Sequence, residues 1–184
     1  MIYNDDIYPI DGISFDIEKL QEQLREIQLT HPFSGEFKNC ISLTQVPGNS
    51  ADPRGIFWIR GDSGRELQRE EHVDESKYTH LYDNFKSTYF KEVYDTLSSK
   101  FHLGRVRILK LEARGCLSYH RDPETRVHIP LITNPGALMV VDQFAVIFPA
   151  DGRVYFTNTL KYHSVLNGGE TERIHLVATV LKEK

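Results

Sequence analysis

The stretch TRVHIPLITNPGALMVVDQFAVIF, residues 125–148, decides the fold. Its apolar residues come in short runs, Val127 to Thr133, Leu138 to Val141 and Phe144 to Phe148, and Asn134-Pro135-Gly136 separates the first from the second. Runs this short, rich in β-branched and aromatic residues and bounded by turn formers, read as strands. The pattern continues outward on both sides. Val106 to Leu111 and Cys116 to His120 precede it, and Val154 to Phe156 and Arg173 to Leu181 follow, with Pro149-Ala150-Asp151-Gly152 and Asn167-Gly168-Gly169 as further turns. Seven or eight strands with turn signals roughly every ten residues predict a sandwich or barrel.

Towards the N-terminus the period changes. Asp16 stands before Ile17, Leu20, Leu24 and Ile27, the spacing of a capped amphipathic helix, and Thr30-His31-Pro32 ends it. A second helix is predicted over Asn84 to Lys100, with Phe90, Val93, Leu97 and Phe101 as its apolar stripe and Gly104 at its end. Both helices are expected to pack on the outside of one sheet. Short strands are predicted at Cys40 to Val46 and Ile56 to Ile59, with the loop Pro47 to Pro53 between them. Gly61 to Tyr78 is highly charged and reads as a long irregular loop, a candidate lid. The whole chain reads as one domain, with residues 1–104 as helical and loop support and 105–184 as core strands.

A chain of 184 residues, 40% hydrophobic, is large enough to bury a core of its own. Its net charge of -4 is spread over mixed signs with no basic block, which argues against nucleic acid as partner. Cys40 and Cys116 are the only cysteines, too few for a disulfide framework, and suit a reducing compartment. The N-terminus, Met1 to Asp6, is polar and acidic, unlike a signal peptide, and no apolar run is long enough to cross a bilayer. A cytoplasmic protein without membrane partners is expected. The sequence does not speak to oligomeric state.

Chemistry concentrates between Ser118 and Arg173. In a strand, His120 and Asp122 project from one face. With the later His163 they make two imidazoles and a carboxylate, a set that can take one face of an octahedral metal and suits non-heme Fe(II) oxygen chemistry. Gly168 lies midway between His163 and Arg173. A symmetric hairpin there would make those two directly opposed neighbours, roughly 5 Å apart at Cα. Arg173 would then suit a carboxylate held one ligand-length from the metal.

Other residues carry weaker signals. Arg126 and His128 share a face by alternation, either towards the interior and a metal-bound ligand or as a surface pair on an edge strand. His175 shares the face of Arg173 and reads as a core histidine or one placed just behind the site. Trp58, the only tryptophan, fits pocket stacking or core packing equally. His72-Val73-Asp74 repeats the His-x-Asp spacing inside a charged stretch and reads as solvated surface. His31, His80 and His102 stand outside any constellation.

Four stretches together resemble the aspartyl/asparaginyl β-hydroxylase family of Fe(II)/2-oxoglutarate dioxygenases, which includes bacterial proline 3-hydroxylases. They are Tyr119-His120-Arg121-Asp122, Arg126-Val127-His128-Ile129-Pro130-Leu131, Asn158 to His163, and Asn167-Gly168 with Arg173-Ile174-His175-Leu176. The resemblance covers about the last eighty residues. It implies a mainly β fold, a double-stranded β-helix or cupin-like jelly roll, with two N-terminal helices packed on one sheet. It implies iron ligands at His120, Asp122 and His163, and Arg173 on the distal carboxylate of 2-oxoglutarate, with Arg126 and His128 lining the cosubstrate site. The animal peptide hydroxylases lack the acidic ligand found here at Asp122, so the chain looks closer to the bacterial branch. The activity implied is hydroxylation of an unactivated C–H of an amino acid or peptidyl side chain, using Fe(II), 2-oxoglutarate and O2. Two other readings of the residues stay open: a cupin-like metal-binding isomerase or small-molecule module without oxygen chemistry, and an inactive interaction domain.

Overall fold

The computed structural model describes residues 3–34, 39–48 and 74–184. Its strands, in chain order, are β1 (Ile7–Ser14), β2 (Cys40–Ser42), β3 (Thr44–Gln45), β4 (His80–Leu81), β5 (Phe101–Leu111), β6 (Gly115–Cys116), β7 (Thr125–Ile132), β8 (Ala137–Val141), β9 (Phe144–Val146), β10 (Arg153–Thr157), β11 (His163–Asn167) and β12 (Arg173–Glu183). The helices are α1 (Ile17–Thr30) and α2 (Tyr89–Lys100). The protein is mainly β. Six strands form one antiparallel sheet in the order β1-β10-β7-β12-β5-β2, and four form a second in the order β6-β11-β8-β9. β3 and β4 make a small separate ladder. No helix among the described residues is long and apolar enough to cross a membrane.

Side-chain alternation divides the six-stranded sheet into two unlike faces. On β12, Ile174, Leu176, Ala178 and Val180 join one apolar cluster; on β7, Val127, Ile129 and Leu131 do the same. That face packs against Leu20 and Leu24 of α1 and Phe90, Val93 and Leu97 of α2, as the apolar stripes of both helices require. Each such Val, Ile, Leu or Phe side chain contributes about 1.5–3 kcal/mol when fully buried. The opposite face looks towards the four-stranded sheet. Ile7 and Tyr155 there pack with Met139, Val141, Val146 and Val165 in a second, smaller cluster.

The first helix forms as its sequence predicts. Asp16 accepts from the backbone N–H groups of Glu18 and Lys19, and the His31 N–H closes the last turn on the Ile27 carbonyl. The second starts later than predicted. Asp83–Phe85 forms a separate 3-10 turn, and α2 begins at Tyr89 after Thr88. Gly104 does not end that helix. The chain passes directly from Lys100 into β5 at Phe101, and Gly104 lies within the strand. Its missing side chain makes room for Glu75, because a Cβ at Gly104 would meet the Glu75 Cβ and Oε2 at 2.7 Å.

The charged stretch preceding Tyr78 is not irregular throughout. Glu75–Lys77 forms a 3-10 turn capped by Asp74, whose carboxylate accepts from the Ser76 N–H at 3.1 Å. The strand expected at Ile56 to Ile59, Trp58 within it, His72, and the remainder of the predicted lid lie outside the described residues. Residues 7–14, unassigned from sequence, form β1 and pair with β10. The first hundred residues therefore supply strands as well as helices to the six-stranded sheet.

Glu75 is buried against a buried Arg105. Arg105 donates from Nε at 3.0 Å and Nη2 at 2.7 Å to Oε1, and from its backbone N–H at 2.8 Å to Oε2. Burial alone would raise the Glu75 pKa. The bonds and charge of Arg105, then the charges of Arg107 and Arg126, overcome it and hold the carboxyl at about 2. Glu75→Gln keeps the shape, removes the charge and leaves Arg105 a buried cation. It is expected to lower the unfolding free energy by about 3 kcal/mol in a urea titration. In the wild type this contribution is complete above the ordinary pKa of 4.5 and is lost as pH falls from there towards about 2, which acid-denaturation curves of the two proteins check.

Candidate functional site

The four-stranded sheet carries the histidines. β11 starts at His163, and the extended chain beyond β6 runs alongside it. The His120 N–H donates to the His163 carbonyl at 3.0 Å, and the His163 N–H returns the bond to His120 at 2.8 Å. This reciprocal pair makes the two residues direct cross-strand partners and sets both rings on one side. The centroids lie 4.4 Å apart. Asp122 is held by its N–H, which donates to the Thr159 carbonyl at 2.8 Å, while the Thr159 hydroxyl donates to the Glu124 carbonyl at 2.6 Å.

His163 is thus opposed by His120 and, on its other side, by β8; it is not opposed by Arg173. The symmetric hairpin predicted around Gly168 does not form. Residues 168–172 instead carry the chain from the four-stranded sheet to the six-stranded one, where β12 pairs with β5 and β7. The Asn167 side chain ties this arch down, donating to the carbonyls of Leu111, Glu112 and Thr171 at 2.9 to 3.2 Å. Close backbone approach requires the glycine at 136, where a Cβ would lie 2.4 Å from the Gly169 nitrogen. A strand ladder between β11 and β12 would forgo all of these contacts.

His120, Asp122 and His163 each offer one ligand atom, and the three atoms lie within 4.8 Å of one another. His120 Nε2 is 3.7 Å from Asp122 Oδ1, and His163 Nε2 is 3.7 Å from Oδ2. Metal–ligand bonds of about 2.0–2.2 Å put atoms sharing one ion no more than roughly 4.4 Å apart, a spacing this group reaches with small side-chain rotations. Both rings are prepared for that. Nδ1 of His120 sits 2.6 Å from the Ser118 carbonyl, and Nδ1 of His163 sits 3.0 Å from the Lys161 carbonyl. A carbonyl only accepts, so each Nδ1 carries the proton and each Nε2 keeps its lone pair. Burial pushes the His163 pKa down, keeping the ring neutral. The buried Asp122 Oδ1 has no hydrogen-bond partner among the described residues. An N2O donor set with an orphaned carboxylate oxygen fits a divalent transition metal.

The interior face of the six-stranded sheet is cationic. β7 lies between β10 and β12, so Arg126 and His128 point inward from a central strand and are no edge pair. Arg126 Nη2 is 3.3 Å from Asp122 Oδ2, and Nη1 donates to the carbonyls of Glu124 and Thr125. Burial raises the Glu124 pKa despite the neighbouring Arg126. His128 is pushed well below its ordinary pKa by burial, then by the charges of Arg173 and His163. Neither of its ring nitrogens has a hydrogen-bond partner among the described residues. Arg107 on β5 and Thr179 on β12 face the same interior. Sequence reading passed over Arg107, although its place between the core residues Val106 and Ile108 carries the alternation signal.

Arg173 is 5% exposed and has no carboxylate partner among the described residues. Its guanidinium donates from Nη2 to His175 Nδ1 at 2.8 Å. Burial pushes its pKa down to about 9. Interior cations are normally paired, because burying a charge uncompensated is costly.

A family model described as aspartyl/asparaginyl beta-hydroxylase matches residues 75–183. The chain belongs to this family. The match runs from Glu75 to the end of β12, so it spans every residue of the cluster just described. No curated protein matches the chain at a significant level. Membership in a hydroxylase family makes the protein a hydroxylase-type enzyme, and the His-Asp-His group is compatible with a metal site within it.

Asp122→Asn keeps the size of the side chain and one oxygen towards Arg126 but removes the ligand charge. It is expected to weaken Co(II) binding at least ~100-fold in calorimetric titration, with an unchanged far-UV circular dichroism spectrum.

Proposed function

We propose that the protein is an Fe(II)- and 2-oxoglutarate-dependent dioxygenase that hydroxylates an amino acid or peptidyl side chain of the Asp, Asn or Pro type. The scaffold for this reading is a double-stranded β-helix. Numbered from one to eight, β5–β12 lie in the order 1-8-3-6 in one sheet and 2-7-4-5 in the other. Successive strands alternate between sheets except the fourth and fifth, which pair as a hairpin within the second, an order that a cupin-like jelly roll accommodates.

One observation carries the reading. A group of two imidazoles and a carboxylate on the four-stranded side faces an interior whose far strand buries an arginine with no acid beside it among the described residues. His120, Asp122 and His163 hold the metal, leaving three octahedral positions for other ligands. Arg173 takes the distal carboxylate of the cosubstrate by a charge-assisted, bidentate contact, which fixes orientation as well as adding affinity. That anion gives the buried guanidinium its missing counter-charge. Arg126, ion-paired with Asp122 Oδ2 and hydrogen-bonded to two backbone carbonyls, restrains the acidic ligand from behind. His128, with both nitrogens unpartnered among the described residues, offers a neutral polar contact to the cosubstrate.

Bound ferrous iron with 2-oxoglutarate and O2 supplies the oxidising power, releasing succinate and CO2 as a C–H bond of the substrate becomes C–OH. The chain's own part is to bind, orient and shield. Phe148 and Tyr155 stack at 4.6 Å and line the interior beside His128 and His175, which keeps water out of the cosubstrate's end.

Two experiments test the reading. Succinate release from 2-oxoglutarate is expected to require Fe(II) and O2 and to rise at least ~10-fold with the right member of an amino-acid and peptide panel. Metal binding without any 2-oxoglutarate turnover would assign the chain to a non-oxygenating cupin. Arg173→Met is expected to raise the Kd for 2-oxoglutarate at least ~30-fold, the cost of losing one partner of a buried charge pair. The same substitution removes an uncompensated charge, so the ligand-free protein is expected to melt no lower than the wild type, while 2-oxoglutarate no longer raises its Tm.

A further inference from the structure

His175 lies two residues beyond Arg173 on the same inward face of β12 and is 1% exposed. Arg173 Nη2 approaches its Nδ1 at 2.8 Å. A guanidinium can only donate, so Nδ1 holds the lone pair and the ring's proton sits on Nε2. That N–H has no partner among the described residues. The ring is bracketed by Phe148, at 6.2 Å between centroids, and by His128 edge-on at 5.8 Å. The β12–β7 ladder shifts register between Ile174 and His175, opposite Pro130, which has no N–H to give. The local backbone and the aromatic wall therefore both hold the ring in place.

The unusual part is the choice of acceptor. Buried arginines are ordinarily oriented by carboxylates, and on this face Arg105 has Glu75 and Arg126 has Asp122. A carboxylate beside Arg173 would orient it and also cancel its charge, and would compete with any anion brought to it. A neutral imidazole orients the guanidinium without cancelling anything. Burial and the adjacent guanidinium both push the His175 pKa far down, so the ring stays a neutral acceptor.

We infer that His175 is the positioning residue for Arg173: it accepts from Nη2, locks the guanidinium's rotation and leaves its full charge for the distal carboxylate of a five-carbon 2-oxo diacid. The inference rests on the reading of Arg173 as the carboxylate-binding residue. In this role His175 acts on affinity through Arg173, and it acts only on ligands that carry the distal carboxylate.

The test uses the full chain loaded with Mn(II), without O2, so that binding is read apart from turnover. Calorimetry compares 2-oxoglutarate with 2-oxopentanoate, which shares the chelating end and chain length but lacks the distal carboxylate. His175→Leu is expected to weaken 2-oxoglutarate at least ~10-fold, the range of a lost hydrogen bond to a charged group, and to leave 2-oxopentanoate within ~2-fold. His175→Asn, which is close to leucine in shape but places an oxygen near the Nδ1 position, is expected to restore 2-oxoglutarate to within ~3-fold of wild type. Should the leucine variant not fold, His175→Gln replaces it, because its amide reaches the Nε2 position and leaves Arg173 without an acceptor. Equal loss for both ligands, no loss, or an asparagine variant no better than leucine overturns the inference. A wild-type protein that does not prefer 2-oxoglutarate over 2-oxopentanoate overturns the reading of Arg173 and this inference with it; a wild type that does, with a leucine variant that keeps the preference, overturns only the role of His175.

Discussion

A central strand buried on both faces, yet charged on one of them, must find anions for that charge. β12 and β7 are in this position. Their outward residues pack against two helices and exclude water there, while their inward residues place Arg126, His128, Arg173 and His175 inside the protein. The helix face makes the strands immovable, and the interior face then becomes a fixed electrostatic surface. Two of the interior arginines are answered by Glu75 and Asp122. Arg173 is answered by a neutral ring. The positions of the compensated and uncompensated charges follow from the alternation of two strands, and the proposed cosubstrate geometry follows from the difference between them.

The ligand group is built differently. His120 and Asp122 sit where the ladder is giving out, since β6 covers only Gly115–Cys116. What holds them is a small number of specific bonds: the reciprocal pair with His163, the Asp122 N–H on Thr159, and the two carbonyls behind the imidazoles. An irregular segment fastened at its backbone can turn three side chains to one point. A regular ladder would fix them at a strand's spacing instead. The orienting partners are main-chain carbonyls, so they survive side-chain substitution around the site.

Much of this was legible in the sequence, for a physical reason. Alternation in Arg126-Val127-His128 and Arg173-Ile174-His175 is a local property of a strand, and a local pattern suffices to say which residues share a face. The cap at Asp16 and the stripe of α1 are equally local. What could not be read is what depends on partners distant in the chain. β1 has little alternation of its own and becomes a strand because β10 offers it an edge. Gly104 looks like a helix stop until Glu75 arrives beside it. Asn167-Gly168-Gly169 carries a hairpin's residues, but those residues are also what an arch needs, and the choice is made by Gly136 and by the carbonyls of Leu111 and Glu112.

The arch serves the proposed chemistry better than the hairpin would. Directly opposed residues of a ladder have Cα atoms roughly 5 Å apart, and their side chains run parallel. An arginine so placed would lie against the metal ligand, leaving no room for a five-carbon diacid between guanidinium and metal. By crossing from one sheet to the other, residues 168–172 keep His163 and Arg173 close in sequence but set them on facing walls. Packed sheets stand about 10 Å apart, and side chains project into that gap from both sides. Under the proposed function, a gap of that order between an imidazole on one wall and a guanidinium on the other suits a short dicarboxylate. On the same reading the short connection does more than join two strands: it sets the separation of the proposed metal-binding and anion-binding ends, and with it the length of the acid that would bridge them.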